Sequence, residues 1–313
     1  MSHSANSPFP GLGIDIDCPV LLCGVDRSAT SHLGRILGAH SQLALLPRTH
    51  FFRRYVADEV ARAHWELDGR AAFLSQLELD SDFRRAGVAP RDLFANERSG
   101  ISEGYRTLLR YSAGAQGKAR VADDDPMNID YLPALARAFP GGYVLHVIRD
   151  PRFVLLSRMA ESSSSRRAWW THPLVAREQL QRGRELGVEL FGTRYFEVSY
   201  EALVNSQAQT LRQICAQIDL GWEPAMLARE HSASLRGEQK RERPAPTHGE
   251  SSDGWRSSLT PTQITYTEKI CSESFDEFGY ERSRTSGTIL AAIAPILRAA
   301  ASFAHDLRRR RAS

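Results

Sequence analysis

The run Tyr143-Val-Leu-His-Val-Ile148 constrains this chain more than any other stretch. It follows a helix stop at Pro140-Gly-Gly142 and runs directly into Arg149-Asp-Pro-Arg152. A short run this apolar is buried on both faces, the condition of a parallel strand inside an α/β sheet. A second run, Cys18-Pro-Val-Leu-Leu-Cys-Gly24, leads into a small polar loop, Val25–Ser31, and then a helical face marked by Leu33, Ile36 and Leu37. A third strand is expected at Arg194–Ser199, with a helix from about Leu203 to Ile218. Helices are also expected at Tyr131–Phe139 and Phe153–Met159. Strands that alternate with helices predict an α/β fold. Its three layers comprise a mostly parallel central sheet, helices on both faces and a P-loop-like strand–loop–helix at the start. Ligands of such sheets sit at the carboxyl ends of the strands, and Arg27 and Arg149 each stand just past one.

The rest of the chain is organised around that core. Residues 1–16 read as a flexible tail, 17–284 as one α/β domain, and 53–118 within it as a helical insertion or lid rich in Arg, Asp and Ala. Residues 285–313 read as an Ala-rich helix with a basic end, Arg308–Arg311, able to make weak contact with an anionic membrane surface. Ser162–Arg167 and Gly237–Asp253 read as polar loops. No run is long enough for a membrane span, and the opening residues lack the basic and apolar regions of a secretory leader. Four cysteines without metal-ligand spacing are expected to be reduced and mostly buried, in a cytoplasm. No metal site is expected. Forty Lys and Arg against 37 Asp and Glu are too balanced to argue for nucleic acid, and none is expected as a partner. Lysine occurs only at 118, 240 and 269, so arginine, with its fork suited to phosphate and sulfate, carries nearly all the positive charge.

The loop after Gly24 meets a helix start, whose free N–H groups and dipole favour anions. Read as a Walker loop it has Ala29 and Thr30 where Gly and Lys belong, and its cation is instead Arg27. This disfavours an ATP- or GTP-cleaving enzyme, and the absence of GxGxxG from the turn disfavours a dinucleotide redox enzyme.

Gly24-Val-Asp-Arg-Ser-Ala-Thr-Ser31 resembles the G-x-P-R-S-G-T-T loop of sulfotransferases that use 3′-phosphoadenylyl sulfate (PAPS). Val147-Ile-Arg149-Asp-Pro-Arg-Phe-Val-Leu-Leu-Ser157 resembles that family's 3′-phosphate signature. Phe196-Glu-Val-Ser-Tyr200-Glu-Ala-Leu-Val204 is similar to its YEDLV segment, and Gly254-Trp255-Arg256-Ser-Ser-Leu259 with Phe278-Gly-Tyr280 to its closing segment. The order and spacing agree from about residue 18 to 280.

The resemblance implies a sulfuryl transfer from PAPS to a hydroxyl on a small molecule or glycan, with no metal. Arg27, Ser28, Ala29, Thr30 and Ser31 would hold the 5′-phosphosulfate, and Arg149 and Ser157 the 3′-phosphate. Tyr200, Trp255 and Arg256 would line the remainder of the cofactor site. The loose, charge-spread transition state expected for such a transfer makes positioned cations the main catalytic device, Arg27 among them.

Four positions depart from the family pattern. Asp26 replaces Pro. Ala29 replaces Gly, which costs something only where φ is positive. Arg48, in Leu46-Pro47-Arg48-Thr49-His50-Phe51-Phe52, stands where relatives carry a glutamate base, leaving His50 as a candidate base. In Asp123-Asp124-Asp125-Pro126, Asp124 stands where a Lys would steady the leaving phosphate; it could be a base or pair with Arg48. A nucleotide-binding pseudoenzyme and a kinase-like transferase therefore stay open as alternatives. Residues 53–118 and 160–175 would form the acceptor pocket, and Phe51, Phe52, Tyr55, Trp169 and Trp170 would line it unless they are core.

Overall fold

A computed structural model describes residues 13–57, 69–94, 100–161, 168–227 and 254–284, together with 293, 294 and 296. Five parallel strands, β1 (Val20–Gly24), β2 (Leu43–Leu45), β3 (Arg120–Asp123), β4 (Tyr143–Ile148) and β5 (Tyr195–Ser199), form one sheet in the order β2-β3-β1-β4-β5. This is the α/β class that the alternating pattern predicts. β4 has the expected bounds, and β1 and β5 lie within the expected runs. β2 and β3 were not anticipated, because three- and four-residue strands are too short to show a period.

The helices are α1 (Thr30–Leu37), α2 (Gly69–Leu79), α3 (Pro90–Leu93), α4 (Ile101–Ala115), α5 (Leu132–Ala138), α6 (Pro151–Ala160), α7 (Thr171–Phe191), α8 (Tyr200–Asn205), α9 (Gln207–Gln217), α10 (Gly254–Ser258), α11 (Pro261–Ile270) and α12 (Ser272–Phe278). Alternate residues of each strand point to opposite faces. Leu21, Cys23, Val121 and Val144 therefore face one core cluster, which takes in Phe73, Leu77 and Phe94 and Tyr105, Leu108 and Leu109 of α4. Val20, Leu22, Ala122, Leu145 and Val147 face another, with Leu33, Ile36 and Leu37 of α1 and Leu211 and Ile214 of α9. The stretch read as an insertion or lid thus contributes to the first cluster. Phe51, Phe52 and Tyr55 are buried in that same cluster, so of the two readings open to them the structure supports core.

The helix expected from about Leu203 to Ile218 is two helices, α8 and α9, separated at Ser206, whose φ of −138° is not helical. The longest helix among the described residues, α7, has no counterpart in the sequence reading. A Cβ on its Gly187 would lie 2.2 Å from the Tyr195 ring, so glycine lets α7 approach β5 closely. Cys23, Cys215 and Cys271 are buried and Cys18 is half-buried, all four unpaired. The loops at Ser162–Arg167 and Gly237–Asp253, most of the C-terminal helix and its Arg308–Arg311 end lie outside the described residues. Ile293 is fully buried against Leu174 and Tyr266, so that point of the C-terminal segment packs on the domain. No helix among the described residues is long and apolar enough to cross a membrane.

Candidate functional site

The site begins at the end of the central strand. Gly24 pairs with Val147 across β1 and β4, and a Cβ there would lie 2.6 Å from both the Val147 carbonyl oxygen and Ser28 Oγ. Only glycine allows that approach. The chain then turns tightly: Ser28 N–H donates to the Val25 carbonyl at 2.8 Å, and Arg27 and Ala29 both adopt φ of +77°. Ala29 is the N-cap of α1 and offers no side-chain cap. The first N–H groups of α1 thus lack intrahelical acceptors and stand at the positive end of its dipole. Ser28 Oγ is buried without a hydrogen-bond partner among the described residues.

The Gly-to-Ala departure at position 29 therefore falls where it costs something. A left-handed non-glycine residue is strained by about 1–2 kcal/mol, part of which is offset by the smaller entropy alanine loses on folding. Ala29→Gly is expected to raise the unfolding free energy by about 0.5–1 kcal/mol in urea melts. A destabilised variant would mean that the position carries no strain.

Three further expected residues converge on this loop. Arg27 Nε donates to Ser157 Oγ of α6 at 3.0 Å. Arg149 donates from Nη1 to the Arg27 carbonyl at 3.2 Å, and its guanidinium carbon lies 4.3 Å from the Tyr200 ring centroid and 5.2 Å from that of Phe153. Arg149 is only 5% exposed, and its Nε has no partner among the described residues. Burial pulls its guanidinium below its usual range, and neighbouring Tyr200, Glu201 and Asp150 only partly oppose that shift. A buried cation held this way has no ion-pair partner among the described residues, and an anion placed against it would relieve the deficit.

A second group lies at the end of β3. His50 Nδ1 is 2.8 Å from Asp125 Oδ2, and Arg53 Nε donates to the same oxygen at 2.7 Å. Asp124, 4% exposed at its side chain, pairs with Arg48 Nε at 3.5 Å, so of the two roles open to it the geometry supports pairing. A cleft of about 240 Å³ is lined by Ser31, Arg35, Leu45, Leu46, Pro47, Arg48 and Asp124. Asp124 also abuts Gly34, where an added Cβ would come within 2.9 Å of it, so exchanging the two residues would disturb that contact as well. The pair is better read through Arg48→Met and Asp124→Asn. The double-mutant cycle is expected to give a coupling of about 1 kcal/mol in urea unfolding, and a coupling near zero would show that the two side chains do not interact.

Beside Asp124, Asp123 is buried and accepts from Tyr105 Oη at 2.6 Å. Burial, then the charge of Asp125, pushes its carboxyl up to about 6.

Trp255 shares a buried cluster with Phe153, whose ring lies 5.2 Å from the Arg149 guanidinium carbon. Trp255 is 1% exposed, with the Arg152 guanidinium 3.8 Å and that of Arg256 4.5 Å from its ring centroid, while Arg256 is exposed. Thr30 is buried at the first turn of α1, and Ser31 borders the cleft. Phe153, Arg53 and Glu201 were missed in the sequence. Glu201 accepts from the Asp150 N–H at 2.9 Å and from Tyr280 Oη at 3.1 Å, tying the closing segment to the Arg149 turn. Its signal was its place beside Tyr200; Arg53 had none.

A parallel sheet whose central strand ends in an uncapped helix facing a buried arginine can receive an anion. The Sulfotransferase family matches residues 19–224, and the chain belongs to that family. An uncharacterized protein of Aquifex aeolicus is 22% identical over 225 residues, 67% of this chain; the chain spans only 26% of that protein's length. Among solved structures, the sulfotransferase domain of the Synechococcus PCC 7002 olefin synthase has a TM-score of 0.54 at 16% identity, covering 89% of this chain and 99% of that one. The sulfotransferase domain from the curacin biosynthetic pathway has a TM-score of 0.53 at 16% identity, covering 85% of this chain and 99% of that one. Both likenesses are of fold.

Proposed function

We infer that this chain transfers a sulfuryl group from PAPS to a hydroxyl of a small molecule or glycan. One observation carries the reading: Arg27, Ser157, Arg149 and Tyr200, far apart in the chain, meet beside the uncapped start of α1. The residues fit the donor, because Arg149 Nε and Ser28 Oγ are buried and lack partners among the described residues. Arg149 and Ser157 would hold the 3′-phosphate. Arg27, Ser28 and the N–H groups of Ala29, Thr30 and Ser31 would hold the 5′ end. PAPS supplies the sulfuryl group and a phosphate leaving group. The chain's own contribution is charge held in place in advance, through Arg27 and the helix start, where negative charge grows. His50 would take the proton of the acceptor hydroxyl. Arg48, standing where a base is expected and paired with Asp124, favours a second reading, nucleotide binding without transfer.

Incubation with labelled PAPS and pools of hydroxyl acceptors tests the first reading, and calorimetry with 3′-phosphoadenosine 5′-phosphate (PAP) separates the two. Binding with transfer supports an enzyme, binding without transfer the second reading, and no binding sinks both. A cytoplasmic place belongs to the same reading and rests on the four unpaired cysteines.

A further inference from the structure

We propose that Asp125 is a positioning residue that holds His50 as its Nδ1–H tautomer, leaving Nε2 with the lone pair that accepts the acceptor's proton. The inference deepens the sulfotransferase reading and rests on it for the identity of the reaction.

The geometry around Asp125 is unusually complete. Its Oδ2 lies 2.8 Å from His50 Nδ1 and accepts from Arg53 Nε at 2.7 Å. Its Oδ1 accepts from the Met127 N–H at 3.1 Å, and its own N–H donates to Asp123 Oδ1 at 3.2 Å. A carboxylate surrounded by donors is an acceptor, so the proton between it and the imidazole belongs to Nδ1. Burial would raise the Asp125 carboxyl, but His50 and Arg53 outweigh it and hold it below the usual range. Both oxygens are committed to donors, so Asp125 is poorly placed to be a base itself. Asp124 is turned to Arg48.

His50 is held in an uncommon backbone conformation, φ +53° for a residue with a Cβ. Its side chain is 19% exposed, which leaves the ring accessible from solvent. Asp125 follows directly on Asp124, which lines the cleft with Ser31 at the start of α1; the dyad itself is not among the residues that line it. In the transfer, the acceptor hydroxyl gives its proton to Nε2, its oxygen bonds to sulfur, and the bond from sulfur to the phosphate oxygen breaks. The imidazolium that results faces the Asp125 carboxylate, which stabilises it as it forms.

The test is the tautomer. Long-range proton–nitrogen spectra of uniformly labelled full-length protein at pH 8, with the resonances of His50 identified by their loss in His50→Gln, should show Nδ1 protonated and Nε2 bare. In Asp125→Asn the population should move toward Nε2–H, and Asp125→Glu should return it in part. A wild-type His50 already protonated on Nε2, or a tautomer unchanged in Asp125→Asn, overturns the proposal. With the acceptor found in the pool assay, Asp125→Asn should lower kcat about 100-fold with KM changed less than about threefold; an unchanged kcat overturns the catalytic half. Calorimetry with PAP on the wild type reports separately on the sulfotransferase reading, because Asp125 is not placed in the nucleotide site.

Discussion

In Arg149→Ala, affinity for PAP is expected to fall about 100-fold or more while the protein stays folded. Removing one partner of a buried charge-assisted contact costs on the order of 2–5 kcal/mol of binding, and each 1.4 kcal/mol is tenfold. Arg149 is suited to that role because its Nε is free of partners among the described residues and its guanidinium lies over the Tyr200 and Phe153 rings. Arg149→Lys keeps the charge but loses the fork, and should recover only part of the affinity. Stability should move little or rise, since the variant removes a buried cation that burial works against. Calorimetry gives the affinity and a urea melt the stability. A dissociation constant within threefold of wild type would refute the 3′-phosphate assignment.

Three residues further on, Arg152→Ala should do the opposite. Arg152 is 4% exposed at its side chain and pairs with Asp150 and Glu268, both at 2.7 Å and similarly buried. Its guanidinium also lies 3.8 Å from the Trp255 ring centroid and 4.7 Å from that of Phe275. Alanine would leave two buried carboxylates without their common cation and open a cavity between α6 and the 254–283 segment. Losses of this kind amount to about 3–5 kcal/mol. The urea midpoint should fall sharply, while PAP affinity of the molecules that remain folded should suffer far less than in Arg149→Ala. A variant as stable as wild type would mean that Arg152 is not what pins the closing segment.

The contrast shows what could be read from the chain. Arg149 was legible because it follows a run whose burial needs no tertiary information. Arg152 lies in the same turn, but its role depends on Glu268 and Trp255, more than a hundred residues away. Trp255 resembles a cofactor residue by sequence, and its burial against Arg152 appears only in the fold. Ala29 could be marked as a departure, yet only its φ of +77° decides that the departure carries a cost.

The alternation of strand and helix, the bounds of β4, and the turns that bear Arg27 and Arg149 are legible in the chain alone. Apolar runs and turn residues act over a few residues, where local sterics and burial dominate. That β1 lies between β3 and β4, that Arg27 reaches Ser157, that Arg48 pairs with Asp124, and that Asp125 meets His50 emerges from the assembled fold. Those contacts join residues tens to more than a hundred positions apart. They arise from how parallel strands stack their carboxyl ends at one edge of the sheet, and no local pattern encodes that.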